Sequence, residues 1–497
     1  MKLKQLNQLP EYLYTAQAVR QLDSLAINQF NLSGYELMKR AGKALFRHLQ
    51  NRYPLAKKIL LLCGSGNNAG DGYVVAKLAQ QAGLDVSVVS LLDPKKLQGD
   101  ARTAWKDWHS MSHQPVRFSA SLLQSADVVV DALLGTGLDR DVEGEWAEII
   151  NTVNTSSRPV IAVDIPSGLN ADTGRIAGTA IQARSTLSFI GLKQGLFTHH
   201  GVDCCGEIQF DDLGVPAEVY EQQPPQAELL DWSRLRLQLK NRLYSSHKHQ
   251  CGHVLVLGGD LGMPGAARMA AEGALRTGAG LVTVVSHAAH TDVLLAGRPE
   301  LMVCPSDDGH LASDLLHSAS ALVIGPGMKD SAWSRNLLSA ALASPLPKLV
   351  DAGALRLLSE DDARRDDWIL TPHPGEAAAL LGEATADIQN SRFTSVELLQ
   401  QTFGGQVILK GAGSLLQSPD ALPQLCPYGN PGMATAGMGD VLSGVIGSLL
   451  AQGYAPAQAA RLGLCMHSLA ADMAARDGIA GLLASDLFVP LRQLVNA

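Results

Sequence analysis

Short apolar runs alternate with helix-length amphipathic segments along the whole chain. That alternation predicts parallel sheets with crossover helices. In the first half, the runs at 58–63, 85–90, 126–131 and 159–164 read as strands. Segments 15–30, 37–50 and 74–82 carry helical spacing. In the second half, strands are predicted at 252–257, 281–285, 321–324, 348–351, 368–370 and 406–409, with alanine-rich helices such as 457–476 between and after them. Between the halves lies Gln222-Gln-Pro-Pro-Gln-Ala-Glu228, a polar stretch whose prolines continue neither a helix nor a central strand. The chain is therefore expected to divide there, into domains 1–222 and 229–497. No internal repeat relates them. The fold class is α/β, with two doubly wound three-layer domains.

Composition narrows the picture. The 497 residues are 46% apolar, 18% charged and 5% aromatic, with 48 glycines, as in a soluble α/β enzyme. A net charge of −8 and the lack of a basic run exclude nucleic acid as the main partner. Seven cysteines, an odd number with no CxxC pair, point to thiols in a reducing cytoplasm and away from zinc. Met1-Lys-Leu-Lys-Gln-Leu-Asn7 holds no signal-length apolar run, and no stretch reaches the roughly 18 apolar residues of a membrane span. The expectation is a cytoplasmic, non-membrane protein, assembled as a homo-oligomer.

The richest chemistry lies in Asn430-Pro-Gly-Met-Ala-Thr-Ala-Gly-Met-Gly-Asp440, which runs into the apolar segment Val441-Leu-Ser-Gly-Val-Ile-Gly-Ser-Leu-Leu-Ala451. This reads as a glycine loop opening a buried helix. Gly437 and Gly439 let backbone N–H groups approach an anion, and the helix terminus adds partial positive charge. A carboxylate at the mouth of an anion site is repelled by phosphate. Its natural use is to take a proton from a hydroxyl beside that phosphate. The plainer alternative makes Asp440 an N-cap. Four more loops follow predicted strands: Gly258-Gly-Asp-Leu-Gly-Met-Pro-Gly-Ala266, Gly325-Pro-Gly327, Thr371-Pro-His-Pro-Gly-Glu376 and Lys410-Gly-Ala-Gly-Ser414. Each could be punctuation, but together they mark the ligand edge of one sheet. Lys410 reads as a phosphate-side charge, and His373 as a substrate contact or a turn residue.

In the first half, Gly64-Ser-Gly-Asn-Asn-Ala-Gly-Asp-Gly72 lacks the GxGxxG spacing of a dinucleotide fingerprint. Its asparagines suit an amide, a ribose or a hard cation. Asp131 and Asp164 each close a strand, before Ala-Leu-Leu-Gly-Thr-Gly137 and Ile-Pro-Ser-Gly168. One such aspartate would be a turn residue; two beside an Asn-rich loop favour a site. Asn68, Asp131 and Ser167 offer oxygen only, which fits K⁺ or Mg²⁺ rather than zinc.

These three blocks, with Tyr14-Thr-Ala-Gln-Ala-Val-Arg-Gln-Leu-Asp23 and Leu37-Met-Lys-Arg-Ala-Gly42, resemble the NAD(P)H-hydrate epimerases of the YjeF N-terminal family, over about residues 10–220. The resemblance implies a Rossmann-like domain. It places hydrate binding at Asn67, Asn68, Ala69, Gly70 and Asp71, at Gly135, Thr136, Gly137, Leu138, Asp139, Arg140 and Asp141, and at Asp164. It implies K⁺ held by Asn68, Asp131 and Ser167, with Asp164 as the acid/base group. Ala69 departs from the family's usual Gly and would be strained if that position needs positive φ.

The second half resembles the ribokinase-like superfamily. Through Pro372-His-Pro-Gly-Glu376 and Asn430–Asp440 it resembles more narrowly the ADP-dependent NAD(P)H-hydrate dehydratases, over about 229–497. Carried over, Lys410, Gly411, Ala412, Gly413, Ser414 and Gly439 contact the adenine nucleotide. Gly265, Ala266, Gly327, His373 and Asp440 contact the hydrate, and Mg²⁺ accompanies ADP. Gly353 stands where an Asp is common, so any role of that acid is absent.

Both resemblances meet on one metabolite class. Reduced nicotinamides that add water across the 5,6 double bond, NADHX and NADPHX, carry a C6 hydroxyl in two epimers. A dehydratase selective for one epimer needs an epimerase. The implied chemistry has Asp440 deprotonate the hydroxyl, which attacks the terminal phosphoryl of ADP. Phosphate then leaves, and AMP is the other product. The rivals are a vitamin or sugar kinase with a non-catalytic N-terminal nucleotide-binding module, and an NAD-dependent dehydrogenase, which the glycine spacing excludes.

Overall fold

The computed structural model describes residues 9–30, 32–358 and 364–496; the N-terminal stretch Met1–Asn7 lies outside them. The chain forms two compact units, Met1–Leu229 and Leu230–Ala497.

In the first unit the strands are β1 (Tyr12–Tyr14), β2 (Lys58–Cys63), β3 (Asp85–Ser90), β4 (Val128–Ala132), β5 (Val160–Val163), β6 (Ser185–Phe189), β7 (Leu192–Lys193), β8 (Glu207–Asp211) and β9 (Ala227–Leu229). Six of them form a parallel sheet in the order β3-β2-β4-β5-β6-β8. β1 pairs with β7 and β9 outside that sheet. The central strands read as unbroken apolar runs because both faces are covered. Ile59, Leu61 and Cys63 pack with helices Ala16–Gln29, Gly34–Arg52 and Asn67–Gln81, while Leu60 and Leu62 pack with Gly144–Thr155.

The second unit holds β10 (His253–Leu257), β11 (Leu281–Ser286), β12 (Met302–Pro305), β13 (Ala321–Ile324), β14 (Lys348–Val350), β15 (Trp368–Leu370), β16 (Gln406–Leu409), β17 (Ser414–Gln417) and β18 (Gln424–Cys426). Their order is β12-β11-β10-β13-β14-β15-β16-β17-β18, parallel through β16 and antiparallel thereafter. Helices Pro264–Arg276 and Met438–Ala451 cross closely because two glycines open the contact. A Cβ on Gly444 would lie 1.9 Å from the Ala270 carbonyl, and one on Gly273 would lie 2.9 Å from that of Val441.

Each sheet has a topological switch point. In the first unit the order turns back between β2 and β4, in the second between β10 and β13. Open α/β sheets leave a crevice at such points, outside the strands' carboxyl ends. The loops after Cys63 and Ala132, and after Leu257 and Ile324, therefore border these crevices. Among the described residues, no helix is long and apolar enough to cross a membrane.

Candidate active sites

At the first switch point the chain turns through Gly64-Ser-Gly66. Gly64 is required there, since a Cβ would sit 1.8 Å from the Leu133 carbonyl. The helix then begins at Asn67, so Asn67–Gly72 is helical rather than the loop expected from its composition. Gly66 supplies the extended cap, and the asparagines start the first turn. A cleft of about 510 Å³ opens beside it. Asn67, Asn68 and Asp71 line this cleft, as the i, i+1, i+4 spacing of one helical face requires. Ala69 and Gly70 do not. Ala69 is buried in the core, and a Cβ on Gly70 would collide with the Met38 thioether at 2.5 Å. Ala69 has no positive φ, so the strain feared from its replacing Gly does not arise. Gly135, Thr136, Gly137, Leu138, Asp139 and Arg140 form the facing loop. Asp141 is outside the cleft, 3.7 Å from Arg175.

Behind the cleft, Asp131 is fully buried. Its Oδ2 accepts from the Ser167 N–H at 2.8 Å, and its Oδ1 from Ser167 Oγ at 2.5 Å and the Leu133 N–H at 3.3 Å. Asn68 donates through Nδ2 to the Leu134 carbonyl at 2.9 Å, and the Leu134 N–H donates to Ser167 Oγ at 2.8 Å. The three expected cation ligands therefore do come together. Burial pushes the Asp131 carboxyl up to about 6, opposed by its bonds to Ser167 and Leu133. Among the described residues it has no ion-pair partner. The Asp131 carboxylate with the Ser167 hydroxyl and the Leu134 carbonyl beside it offers oxygen only, the donor type that a hard cation takes.

Asp164 lines the same cleft from the loop after β5. Its φ of +65° is left-handed, a conformation costing an ordinary side chain about 1–2 kcal/mol. Asp tolerates it, and the contacts hold it there. Asp164 accepts from the Phe189 N–H at 3.0 Å, from Ser188 Oγ at 3.4 Å and from Lys193 Nζ. Lys193 is fully buried and also donates to Ser188 Oγ and the Phe189 carbonyl, each at 3.1 Å. The sequence reading missed this lysine. A cation closing the apolar run from Ser185 to Lys193 was the available signal, since a buried charge demands a partner. It also left Asp23 without a role, although Asp23 lines the cleft. Burial pushes the Asp71 carboxyl far above the ordinary range, with the Asp164 and Asp23 charges adding to the shift.

In the second unit, helix Met438–Ala451 starts from Gly437, whose φ of +89° only glycine adopts freely. Asp440 is therefore the third helical residue and not its N-cap. Gly437 has no side chain to cap the helix, so the first-turn N–H groups remain for a ligand. A Cβ on Gly439 would lie 3.3 Å from Lys410 Nζ, which brings the anion loop and Lys410 together. Lys410 donates to Asp351 Oδ1 at 2.7 Å and lies 3.8 Å from Glu376 Oε2. Ser443 Oγ holds the other Asp351 oxygen at 2.7 Å. Burial, with the Asp351 and Glu376 charges, pushes the Asp440 carboxyl up to about 6 against the pull of Lys410. The buried acid here is thus Asp351. Gly353 could not carry one, since a Cβ there would lie 2.1 Å from the Met328 carbonyl.

Gly265 and Ala266 open helix Pro264–Arg276, and Gly327 (φ +70°) would place a Cβ 3.2 Å from that of Ala266. These three meet at the second switch point. His373 serves first as a cap: its Nδ1 accepts from the Gly375 and Glu376 N–H groups at 3.0 and 3.2 Å, and its Nε2 lies 3.3 Å from Glu376 Oε1. Lys410–Ser414 is a tight turn, with Gly411 and Gly413 at positive φ and Ser414 Oγ closing onto the Gly411 carbonyl at 3.1 Å. Ala412 is at its exposed tip. The buried Arg392 donates to the Lys410 and Gly413 carbonyls at 3.4 and 3.2 Å and so fixes this turn from beneath. Nothing local in the sequence marks Arg392, because it reaches the turn from a distant helix.

Two α/β units, one with an oxygen-lined cleft and acidic cluster, the other with an open helix terminus beside a lysine, define a two-site enzyme of nucleotide-like ligands. The family described as YjeF-related protein N-terminus matches residues 34–195, and that described as NAD(P)H-hydrate dehydratase matches 254–492. The bifunctional NAD(P)H-hydrate repair enzyme of Coxiella burnetii is 44% identical over 97% of this chain and 99% of that protein. The one from Escherichia coli is 41% identical over 98% of this chain and 95% of that protein. A solved ribokinase-like superfamily protein from Enterococcus faecalis superposes with a TM-score of 0.51 at 26% identity, covering 55% of this chain and 96% of that one. The chain belongs to the family of bifunctional NAD(P)H-hydrate repair enzymes. The rival of a kinase with a non-catalytic N-terminal module is set aside.

Proposed function

We propose that the first unit interconverts the R and S epimers of NADHX and NADPHX, and that the second unit dehydrates the S epimer using ADP. Asp164 is the acid/base group of the first reaction. Asn67, Asn68, Asp71 and the Gly135–Arg140 loop bind its ligand. K⁺ would be held by Asn68, Asp131 and Ser167, supplying a fixed positive charge beside the cleft. In the second unit Lys410–Ser414 and Gly439 hold the nucleotide, and Gly265, Ala266, Gly327 and His373 hold the hydrate. Asp351, Glu376 and Asp440 outnumber Lys410, so a bound diphosphate needs added positive charge, and Mg²⁺ fits that need. It would ride on the phosphate oxygens, since Asp351 and Glu376 already spend theirs on Lys410, Ser443 and His373. We place the activity in the cytoplasm, where free thiols persist.

Asp440 takes the proton of the C6 hydroxyl, whose oxygen attacks the terminal phosphoryl of ADP. AMP departs, and the C6–O bond then breaks: phosphate leaves as the ring nitrogen lone pair forms a C6–N iminium, and loss of a C5 proton to solvent gives the 5,6 double bond. The observation that carries this reading is Asp440 in the first turn of an uncapped helix, beside Lys410. The test is recovery of reduced-nicotinamide absorbance from a racemic hydrate mixture with K⁺ and ADP or ATP. Complete recovery supports both activities, and arrest near half supports the dehydratase alone. A persistent phosphorylated alcohol with no recovery would overturn the reading.

A further inference from the structure

Helix Ala16–Gln29 forms one wall of the epimerase cleft. It presents Val19, Arg20, Asp23 and Ile27, the spacing of a single helical face, while Leu22 and Ala26 go to the core. Asp23 is the one carboxylate on this helix. It makes no hydrogen bond or ion pair among the described residues, although it is half-buried. An Asp that merely capped or solubilised this helix would face a turn or open water. Asp164 is its opposite, with Lys193, the Phe189 N–H and Ser188 giving it the contacts of an ionised carboxylate. Two neighbouring carboxyls in contrasting environments are the arrangement that divides acid from base.

We propose, resting on the epimerase reading above, that Asp23 is a second catalytic residue of this site: the acid that protonates the ring nitrogen while Asp164 takes the proton of the C6 hydroxyl. C6 of the hydrate is a hemiaminal carbon, bonded to both the hydroxyl oxygen and the ring nitrogen. As Asp164 removes the hydroxyl proton, the oxygen's electrons form a C6 carbonyl and the C6–N bond breaks. The electron pair passes to nitrogen, which takes the proton of Asp23. Rotation about C5–C6 turns the other carbonyl face toward nitrogen. The reverse transfers then close the ring with inverted configuration and restore both carboxyls, so no outside reagent is consumed. The two atoms exchanging protons hang on one carbon, so the groups serving them must stand side by side. Asp23 and Asp164 lie close enough to feel each other's charge. The groups facing Asp23 are Asp164 and Asp71, Lys193 and Tyr220. Burial dominates this balance and lifts the Asp23 carboxyl to about 6, which lets it carry a proton well above the usual carboxylate range.

The test uses the full chain, without ADP or ATP, on hydrate enriched in one epimer, with interconversion followed by chromatography. Asp23→Asn is expected to slow epimerisation by about 10²–10⁴-fold, and Asp23→Glu to recover part of the rate. The wild-type rate should fall as pH rises through about 6, and Asp23→Asn should lose that limb. ADP-driven dehydration of the S epimer reports folding and should be unchanged in both variants. A wild-type rate in Asp23→Asn with Asp164→Asn inactive overturns the proposal and leaves the epimerase reading intact. A slowed Asp23→Asn that keeps the alkaline limb also overturns it, because a structural role would leave the titration in place. Full rates in both Asp23→Asn and Asp164→Asn overturn the underlying reading instead.

Discussion

Asp440→Asn keeps the shape of the dehydratase site and removes its base. Dehydration should fall by about 10²–10⁴-fold, with epimerisation unchanged, as measured by separate assays on one preparation. For the wild type, kcat/KM for dehydration should fall as pH drops through about 6, because the carboxyl held there must be ionised to accept a proton. In the other unit, Asp131→Ala strands the buried Ser167 N–H, while the Ser167 hydroxyl keeps the Leu134 carbonyl, and should cost about 1–3 kcal/mol. It should also abolish any rise in Tm on adding potassium chloride over sodium chloride, while dehydration persists. A Tm that still responds to potassium would move the ion elsewhere. The residues readable in sequence were those whose loops advertise them: Asp131 and Asp164 at strand ends, Asp440 behind its glycines. Lys193, Arg392 and Asp351 were not read, since each acts through a partner on another element, and Asp23 was not, since only the folded helix turns it into the cleft. Asp141 came with the resemblance as the last residue of the Gly135–Asp141 loop, which leaves the cleft after Arg140.

At the scale of elements, the apolar runs located β2 to β5, β10, β11 and β13 to β16, but missed the inner strand β6, whose buried Ser185, Thr186 and Ser188 break the apolar run. The edges were harder. β7 and β9 span two and three residues, too short for any period to register. The Asn67 helix start was read as loop because glycine and asparagine disfavour helix interiors, yet the first turn tolerates both once ligand-facing contacts matter more. The crossing of Pro264–Arg276 with Met438–Ala451 links packing to function, for Ala266 and Asp440 open these two helices. Gly444→Val would drive a side chain into the Ala270 backbone. It should destabilise the second unit by about 1–3 kcal/mol or more and weaken dehydration by spreading the two helix starts. Chemical denaturation and the KM for hydrate check this together, and an unchanged KM would mean that the helices relax without moving the site.

Across the whole molecule, each unit carries a complete constellation of its own. The strand order placed one crevice in each sheet, which no single motif could have announced. Each site needs only its own unit's groups, and the epimer leaving one site is a free small molecule. Asp164→Asn should therefore stop near half recovery from a racemic mixture, and Asp440→Asn should recover almost nothing. An equimolar mixture of the two variants should recover the full absorbance, because each supplies the intact half that the other lacks. The approach to completion should slow on dilution, as expected when the substrate must diffuse between molecules. Arrest of the mixture near half, with both single variants folded and each retaining its own intact activity, would show that the two reactions must occur on one chain.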